Sequence, residues 1–158
     1  MCIRDSSTGV QNTLLGALAG DALTTGSYNV AIGVNALSTE DGHGGNIAIG
    51  KSALFTQNAG QEAYNVAVGH EAGKLVTTGI RNTLIGGFAG DALTEGSENV
   101  AIGYGALTSE DAHGKNIAIG FKALEDQNAG ADAYNVAIGH SAGLNVSGGT
   151  IAGTISTA

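Results

Sequence analysis

The chain of 158 residues contains no proline and no tryptophan, and its aromatic residues are only four tyrosines and three phenylalanines. These shortages exclude a core built on large rings, and the lack of proline excludes collagen despite 27 glycines. Six Lys and Arg stand against fourteen Asp and Glu, so a basic groove for nucleic acid is absent. No apolar run is as long as the roughly 18 residues of a membrane span, so we expect no membrane insertion.

Cysteine is also nearly missing, and the single example, Cys2, lies in a segment that does not fit the rest of the chain. Residues 1–6 resemble the translated end of a transposon adapter used in sequencing libraries, and we interpret them as a non-native scar. The native part then has no disulfide and no thiol chemistry. We expect the true N-terminus, with any secretion signal, to be missing from this sequence.

The residues that are present form a repeat. Positions 12–80 align without gaps on positions 82–150, with 45 identities in 69 positions, which divides the chain into units 12–81 and 82–150. Each unit contains four copies of a shorter motif, N-x-x-x-G-x-x-A, and successive copies start at offsets of 17 (29 − 12) or 19 (65 − 46). The Asn and Gly of the eight copies are Asn12, Asn29, Asn46, Asn65, Asn82, Asn99, Asn116, Asn135, Gly16, Gly33, Gly50, Gly69, Gly86, Gly103, Gly120 and Gly139.

The start of each motif is typical of a short strand. In residues 29–33, Val30 and Ile32 share one face of the strand and Ala31 lies on the other. We expect the Val/Ile face to hold the fold together and the small face to allow close approach. Short strands need neighbours, which stacked coils supply, and stacked Asn amides can form a ladder of hydrogen bonds.

This pattern predicts an all-β parallel β-solenoid, or β-roll, of eight coils whose lengths equal the motif offsets of 17 and 19. At about 4.8 Å per coil the stack would be roughly 38 Å long. The solenoid is expected over residues 7–147, with a degenerate coil or a linker over 148–158. The extra residues of the longer coils, at 57–60 and 127–130, are expected to bulge outward. Long helices are disfavoured, since each glycine inside a helix costs about 1 kcal/mol.

The repeated pentapeptides carry a family resemblance. Asn-Val-Ala-Ile-Gly at 29–33, 99–103 and 135–139, with Asn-Ile-Ala-Ile-Gly at 46–50 and 116–120, resembles the YadA-type head repeat of trimeric autotransporter adhesins. It is equally similar to the repeat of phage tail-fibre proteins that end in an endosialidase-type chaperone. The resemblance implies a left-handed roll and a homotrimer on a virion tail fibre or a bacterial cell surface. It also implies a host cell-surface protein or glycan as partner. The coils here are longer than in the family, and Val, Ile or Thr replaces the Ser after the Asn.

Candidate reactive residues are few, and no catalytic, cofactor-binding or metal-binding residue is assigned. The sequences Glu40-Asp41-Gly42-His43 and Glu110-Asp111-Ala112-His113 could hold a metal, but we interpret them as exposed polar corners. His70 and His140 are also interpreted as corner residues rather than a catalytic pair. The tyrosines Tyr28, Tyr64, Tyr104 and Tyr134 are expected to cover the corners of their own coils, with stacking on sugars as the alternative.

The sequence therefore favours a non-enzymatic, structural or adhesive fibre segment that attaches to a host cell surface. One alternative is a monomeric solenoid that binds a regular surface such as ice. That class needs a row of Thr, which here is broken, because only Thr13 and Thr83 follow the motif Asn. A second alternative is an enzyme of the left-handed β-helix acyltransferase type, although only one hexapeptide per coil fits that pattern.

Overall fold

The computed structural model describes residues 8–128, 134–144 and 154–155, so the segment 1–6 lies outside the described part. The described strands form one parallel sheet in chain order, and this part of the chain contains no helix, which confirms an all-β parallel β-solenoid. It also contains no helix that could cross a membrane. The strands are β1 Thr13–Leu15, β2 Val30–Ile32, β3 Ile47–Ile49, β4 Val66–Val68, β5 Thr83–Ile85, β6 Val100–Ile102, β7 Ile117–Ile119, β8 Val136–Ile138 and β9 Thr154–Ile155.

The register of the sheet follows the sequence repeat. Val30 pairs with Ile47 at an offset of 17 (47 − 30), and Ile47 pairs with Val66 at an offset of 19 (66 − 47). Both coil lengths therefore bring the same motif positions together. In β9, Thr154 pairs with Ala137, again at an offset of 17 (154 − 137). The coil spacing thus extends into the stretch 148–158, for which the sequence left a degenerate coil or a linker open.

The strand faces point the opposite way from the prediction. The central alanines, such as Ala31 and Ala101, have no solvent-exposed surface, whereas the flanking Val and Ile residues point outward and are only partly covered. The expectation that the Val/Ile face holds the roll together is therefore wrong. The inward strand position is Ala in β2 to β4 and in β6 to β8, and in β5 it is the larger Leu84, for which the neighbouring Gly73 and Gly90 leave room.

Leucines complete the core from the rest of each coil. Leu37, Leu54, Leu107 and Leu124 follow the motif Ala and are fully buried. At the eleventh position after the motif Asn, another inward site holds Leu93 and, in other coils, residues of very different polarity: Leu23, Glu40, Gln57, Val76, Glu110 and Gln127. Gln57 is fully buried, so the longer coil does not bulge at this residue. Directly after it, Asn58 and the stretch 60–62 are exposed, and residues 129–130 of the second longer coil lie outside the described part.

The motif glycines stand where coils are closest. Gly33 has φ +134°, and a Cβ placed on it would lie 2.5 Å from the carbonyl oxygen of Gly50 in the next coil. Because that oxygen belongs to the backbone, no side-chain movement could relieve the clash. The same contact recurs down the column of motif glycines, so the invariance of this position across the coils has a steric cause.

We therefore expect Gly33→Ala to lower the free energy of unfolding by about 3 kcal/mol or more, since it combines a backbone clash with a φ that L-residues avoid. The matched control is Gly60→Ala. Gly60 also has positive φ, +68°, but a Cβ there meets no atom within 4 Å. The control should lose only about 1 kcal/mol. Urea denaturation of both variants measures the difference, and equal losses would contradict the steric explanation.

Candidate functional site

The asparagine column joins each coil to the next. The main-chain N–H of Asn29 donates to Asn12 Oδ1, and the same bond repeats at all seven steps to Asn135, with lengths from 2.8 to 3.2 Å. The bonds therefore run from main chain to amide oxygen. A bond between two Asn amides occurs among the described residues only from Asn116 to Asn99, at 3.2 Å. Each buried N–H at the start of a strand thus has a partner.

The amide nitrogens of the same residues close their own coils. Asn82 Nδ2 donates to the carbonyl oxygen of Gly96 at 2.8 Å, across the corner that precedes the next Asn. In the longer coil that starts at Asn46, the Asn46 Nδ2 is buried without a partner. Gln57 in the same coil accepts a bond from Asn65 Nδ2 at 2.7 Å. The asparagines are therefore structural, because the side-chain oxygens along the column are engaged between coils.

The outward side chains of β2 to β8 form a surface that we call the aliphatic stripe. All but one of its members are Val or Ile, none is charged, and all are at least partly exposed. The members are Val30, Ile32, Ile47, Ile49, Val66, Val68, Thr83, Ile85, Val100, Ile102, Ile117, Ile119, Val136 and Ile138. The stripe extends over the seven successive strands β2 to β8.

A second surface consists of stacked rings, which we call the ring column: His70, Phe88, Tyr104, Phe121 and His140. Successive ring centroids are 5.2, 5.6, 5.7 and 5.0 Å apart, with edge contacts at the first two steps and stacked rings at the last two. Sequence reasoning missed the column. The signal was present, because His70, Tyr104, Phe121 and His140 all directly follow a motif Gly, but Phe88 is shifted by one residue.

The other tyrosines precede a motif Asn and are 58–65% exposed. Tyr64 contacts a neighbouring coil. Its ring lies over Gly45 in the preceding coil, where a Cβ would be 2.7 Å from the Tyr64 ring. Tyr134 accepts a hydrogen bond from Lys115 Nζ at 3.1 Å, which again joins neighbouring coils. These two rings therefore cover contacts between coils.

The histidine corners differ from the predicted exposed corners. Glu40 and Glu110 are fully buried, and Glu40 Oε1 accepts the main-chain N–H of His43 at 3.0 Å. Nearby, His43 Nδ1 is 3.4 Å from the same oxygen. The ligand atoms of Glu40, Asp41 and His43 lie within 4.8 Å of one another, a donor set of two carboxylates and one imidazole that would suit a divalent cation. The contacts that the structure shows are those of a turn closed by a buried carboxylate.

Burial raises the pKa of Glu40 above its ordinary value, against the lowering effect of the hydrogen bond from the His43 main chain and the charge of its ring. The opposite case is Glu71 on the surface, whose pKa is lowered, first by the hydrogen bond from Lys74 at 3.0 Å. Relative to the unfolded state, the folded state therefore favours the protonated form of Glu40 and the ionised form of Glu71.

Comparisons of the chain with protein-family models, with curated proteins and with solved structures found no match.

Glu40→Gln should stabilise the protein at neutral pH. Because its folded pKa is raised, Glu40 contributes fully below its unfolded pKa of about 4.3, and that contribution is lost as pH rises through the folded value. Gln already occupies this position in the next coil as Gln57. Thermal unfolding should show a higher Tm for the variant than for the parent at pH 8, and this difference should nearly disappear at pH 4.

The comparison variant is Glu71→Gln, because the pKa shift of Glu71 has the opposite direction to that of Glu40. Its carboxylate contributes stability above the unfolded pKa, so the variant should be equal to the parent or less stable at pH 8. A stabilisation of both variants by the same amount would indicate a general effect of net charge and contradict the burial of Glu40 as the cause.

Proposed function

We propose that this chain is a segment of a homotrimeric fibre, a virion tail fibre or a bacterial surface adhesin, that mediates attachment to a host cell surface and has no enzymatic activity. The resemblance of its pentapeptides to the YadA-type head and tail-fibre repeats motivates the proposal. The observation that carries it is the aliphatic stripe, which turns a face of branched apolar side chains outward along the whole roll.

The occupant of the stripe in this proposal is the same stripe of two further copies. The chain has a net charge of −8. Outside the stripe, outward positions carry a charge in some coils, for example Lys51, Glu71 and Asp41. Copies that met through those positions would bring like charges together. The stripe has no charge on any of its seven strands, so three copies can meet there around an axis parallel to the roll. The length of the resulting rigid fibre then scales with the number of coils.

Ile85→Glu should dissociate the trimer. Ile85 is 38% exposed in the single chain, so the substitution places a carboxylate in the centre of the proposed interface without filling the core. An unpaired buried charge costs about 3 kcal/mol or more, which corresponds to at least a hundredfold rise in the dissociation constant. Light scattering on the full chain should give three times the chain mass of 15.5 kDa for the parent and the monomer mass for the variant.

The matched control is Val34→Glu, at a position 46% exposed that lies outside the stripe and is occupied by Lys51 in the next coil. This variant should stay trimeric. A parent that is monomeric at every concentration would overturn the trimer, as would equal dissociation of both variants. The same samples test the ice-binding alternative, which predicts a monomer with thermal hysteresis.

A further inference from the structure

The second repeat unit contains a surface depression. It has a volume of about 350 Å³, opens to solvent, and is lined by Phe88, Asp91, Tyr104, Thr108, Lys122 and Glu125. Three successive coils each contribute two of these residues. The ring column forms one wall, and the column of Asp91, Thr108 and Glu125, each at the fifth position after a motif Gly, forms the other.

Gly105 lies beside two of the residues that line the depression, Thr108 and Lys122. In the neighbouring coils the same position holds Phe88 and Lys122, with φ of 58° and 54°, and Gly105 has a similar φ of 63° but no side chain. A Cβ on Gly105 would meet only Lys122 Cγ at 3.4 Å and Thr108 Cγ2 at 3.8 Å, which are ordinary contacts. Neither the backbone nor a close contact therefore demands glycine here, in contrast to Gly33. The missing side chain leaves space that a ligand could fill.

The residues around the depression differ between the two repeat units. The equivalents of the six lining residues and of Gly105 in the first unit are Leu18, Asp21, Val34, Asn35, Ser38, Ser52 and Phe55. Only the Asp is kept, although the units share 45 of 69 positions. The first unit therefore has the same backbone with a side chain in place of the gap and no aromatic wall, which makes it an internal control.

We propose that this depression binds a neutral linear oligosaccharide. Sugars present an apolar C–H face that packs against rings and hydroxyls that pair with carboxylates, and the site offers Phe88 and Tyr104 beside Asp91 and Glu125. Tyr104 is 52% exposed and Phe121, the next ring of the column, is 43% exposed, so a chain of sugars can continue along the roll. The inference rests on the proposed attachment function and names its ligand class.

The charges of the site favour a neutral ligand over an acidic one. Two carboxylates face one ammonium group, and Lys122 Nζ is already held by Glu125 at 2.8 Å. Asp91, which also lines the depression, adds a second carboxylate beside this ion pair. Phosphate groups and acidic sugars would meet this carboxylate at close range.

The test titrates the full chain with linear hexasaccharides of α-1,4-glucose, β-1,4-glucose and β-1,4-N-acetylglucosamine, and with an acidic sialylated trisaccharide. NMR shifts of the tyrosine ring protons report binding to the parent chain, and isothermal titration calorimetry measures the affinity of the parent and of each variant, including Tyr104→Val, which lacks the reporting ring. Two variants alter the site with residues that the first unit carries at the same position of a coil: Tyr104→Val, as in Val34, and Gly105→Leu, as in Leu18, which lies two residues after its motif Gly and has φ 58°. The control is Asn35→Leu, the same kind of change in the first unit.

We expect at least one neutral hexasaccharide to shift the Tyr104 resonances. Both site variants should weaken the binding of that hexasaccharide about tenfold or more, and the control should weaken it by less than about twofold. The inference is overturned if no hexasaccharide binds, if only the acidic sugar binds, or if Asn35→Leu weakens binding equally. Light scattering on the same samples separates the two proposals, because a trimer without saccharide binding overturns only this one, and a monomer that binds overturns only the trimer.

Discussion

The hydrogen bond from the main-chain N–H of one motif Asn to the amide oxygen of the Asn in the preceding coil is the contact on which this fold depends. It satisfies a main-chain donor directly before each of the strands β2 to β8, and in coils such as that of Asn82 the same side chain also closes its own coil through Nδ2. A strand of three residues cannot be stable alone. Seven repeats of one short bond therefore set the register of the whole stack.

This contact restricts which side chains can be accommodated around it. Coils that are joined at the Asn are close at the motif Gly four positions later, where a Cβ would meet the backbone of the next coil. Outer positions are not limited in this way: those of the stripe are Val or Ile in all but one case, and those of the ring column and the depression differ between coils. The stripe, the ring column and the depression over Gly105 are all built from those outer positions.

The strands and their register could be predicted from the sequence, because the Asn and Gly recur at offsets that only stacked coils explain. The direction of the faces could not. Val30 and Ile32 look like core residues by hydrophobicity, but the closed coil turns Ala31 inward and both of them outward. Side-chain size alone does not decide this, since Leu84 occupies the inward position of β5. Glu40 shows a similar failure, since a carboxylate is expected outside and here closes a turn from within.

The ring column illustrates a different limit. Phe88 belongs to it although Gly87 displaces it by one position from the place of the other rings. Contacts along the roll join residues that are a whole coil apart in the chain, so a shift of one position in one coil is invisible in a local pattern. The gap over Gly105 is equally hidden, because in the sequence it is one glycine among 27 and only its neighbours in space show that a side chain would fit.

Amide hydrogen exchange of Asn82→Ala tests the asparagine contact most directly. The N–H of Asn99 donates to Asn82 Oδ1 at 2.9 Å, so its protection should fall by more than the general loss of stability, which the amide of Gly50 (bonded to Ile32 O at 2.7 Å) reports. Loss of protection at Asn99 beyond that at Gly50 is the predicted result. Equal loss at both amides would show that the asparagine contact is not what joins one coil to the next.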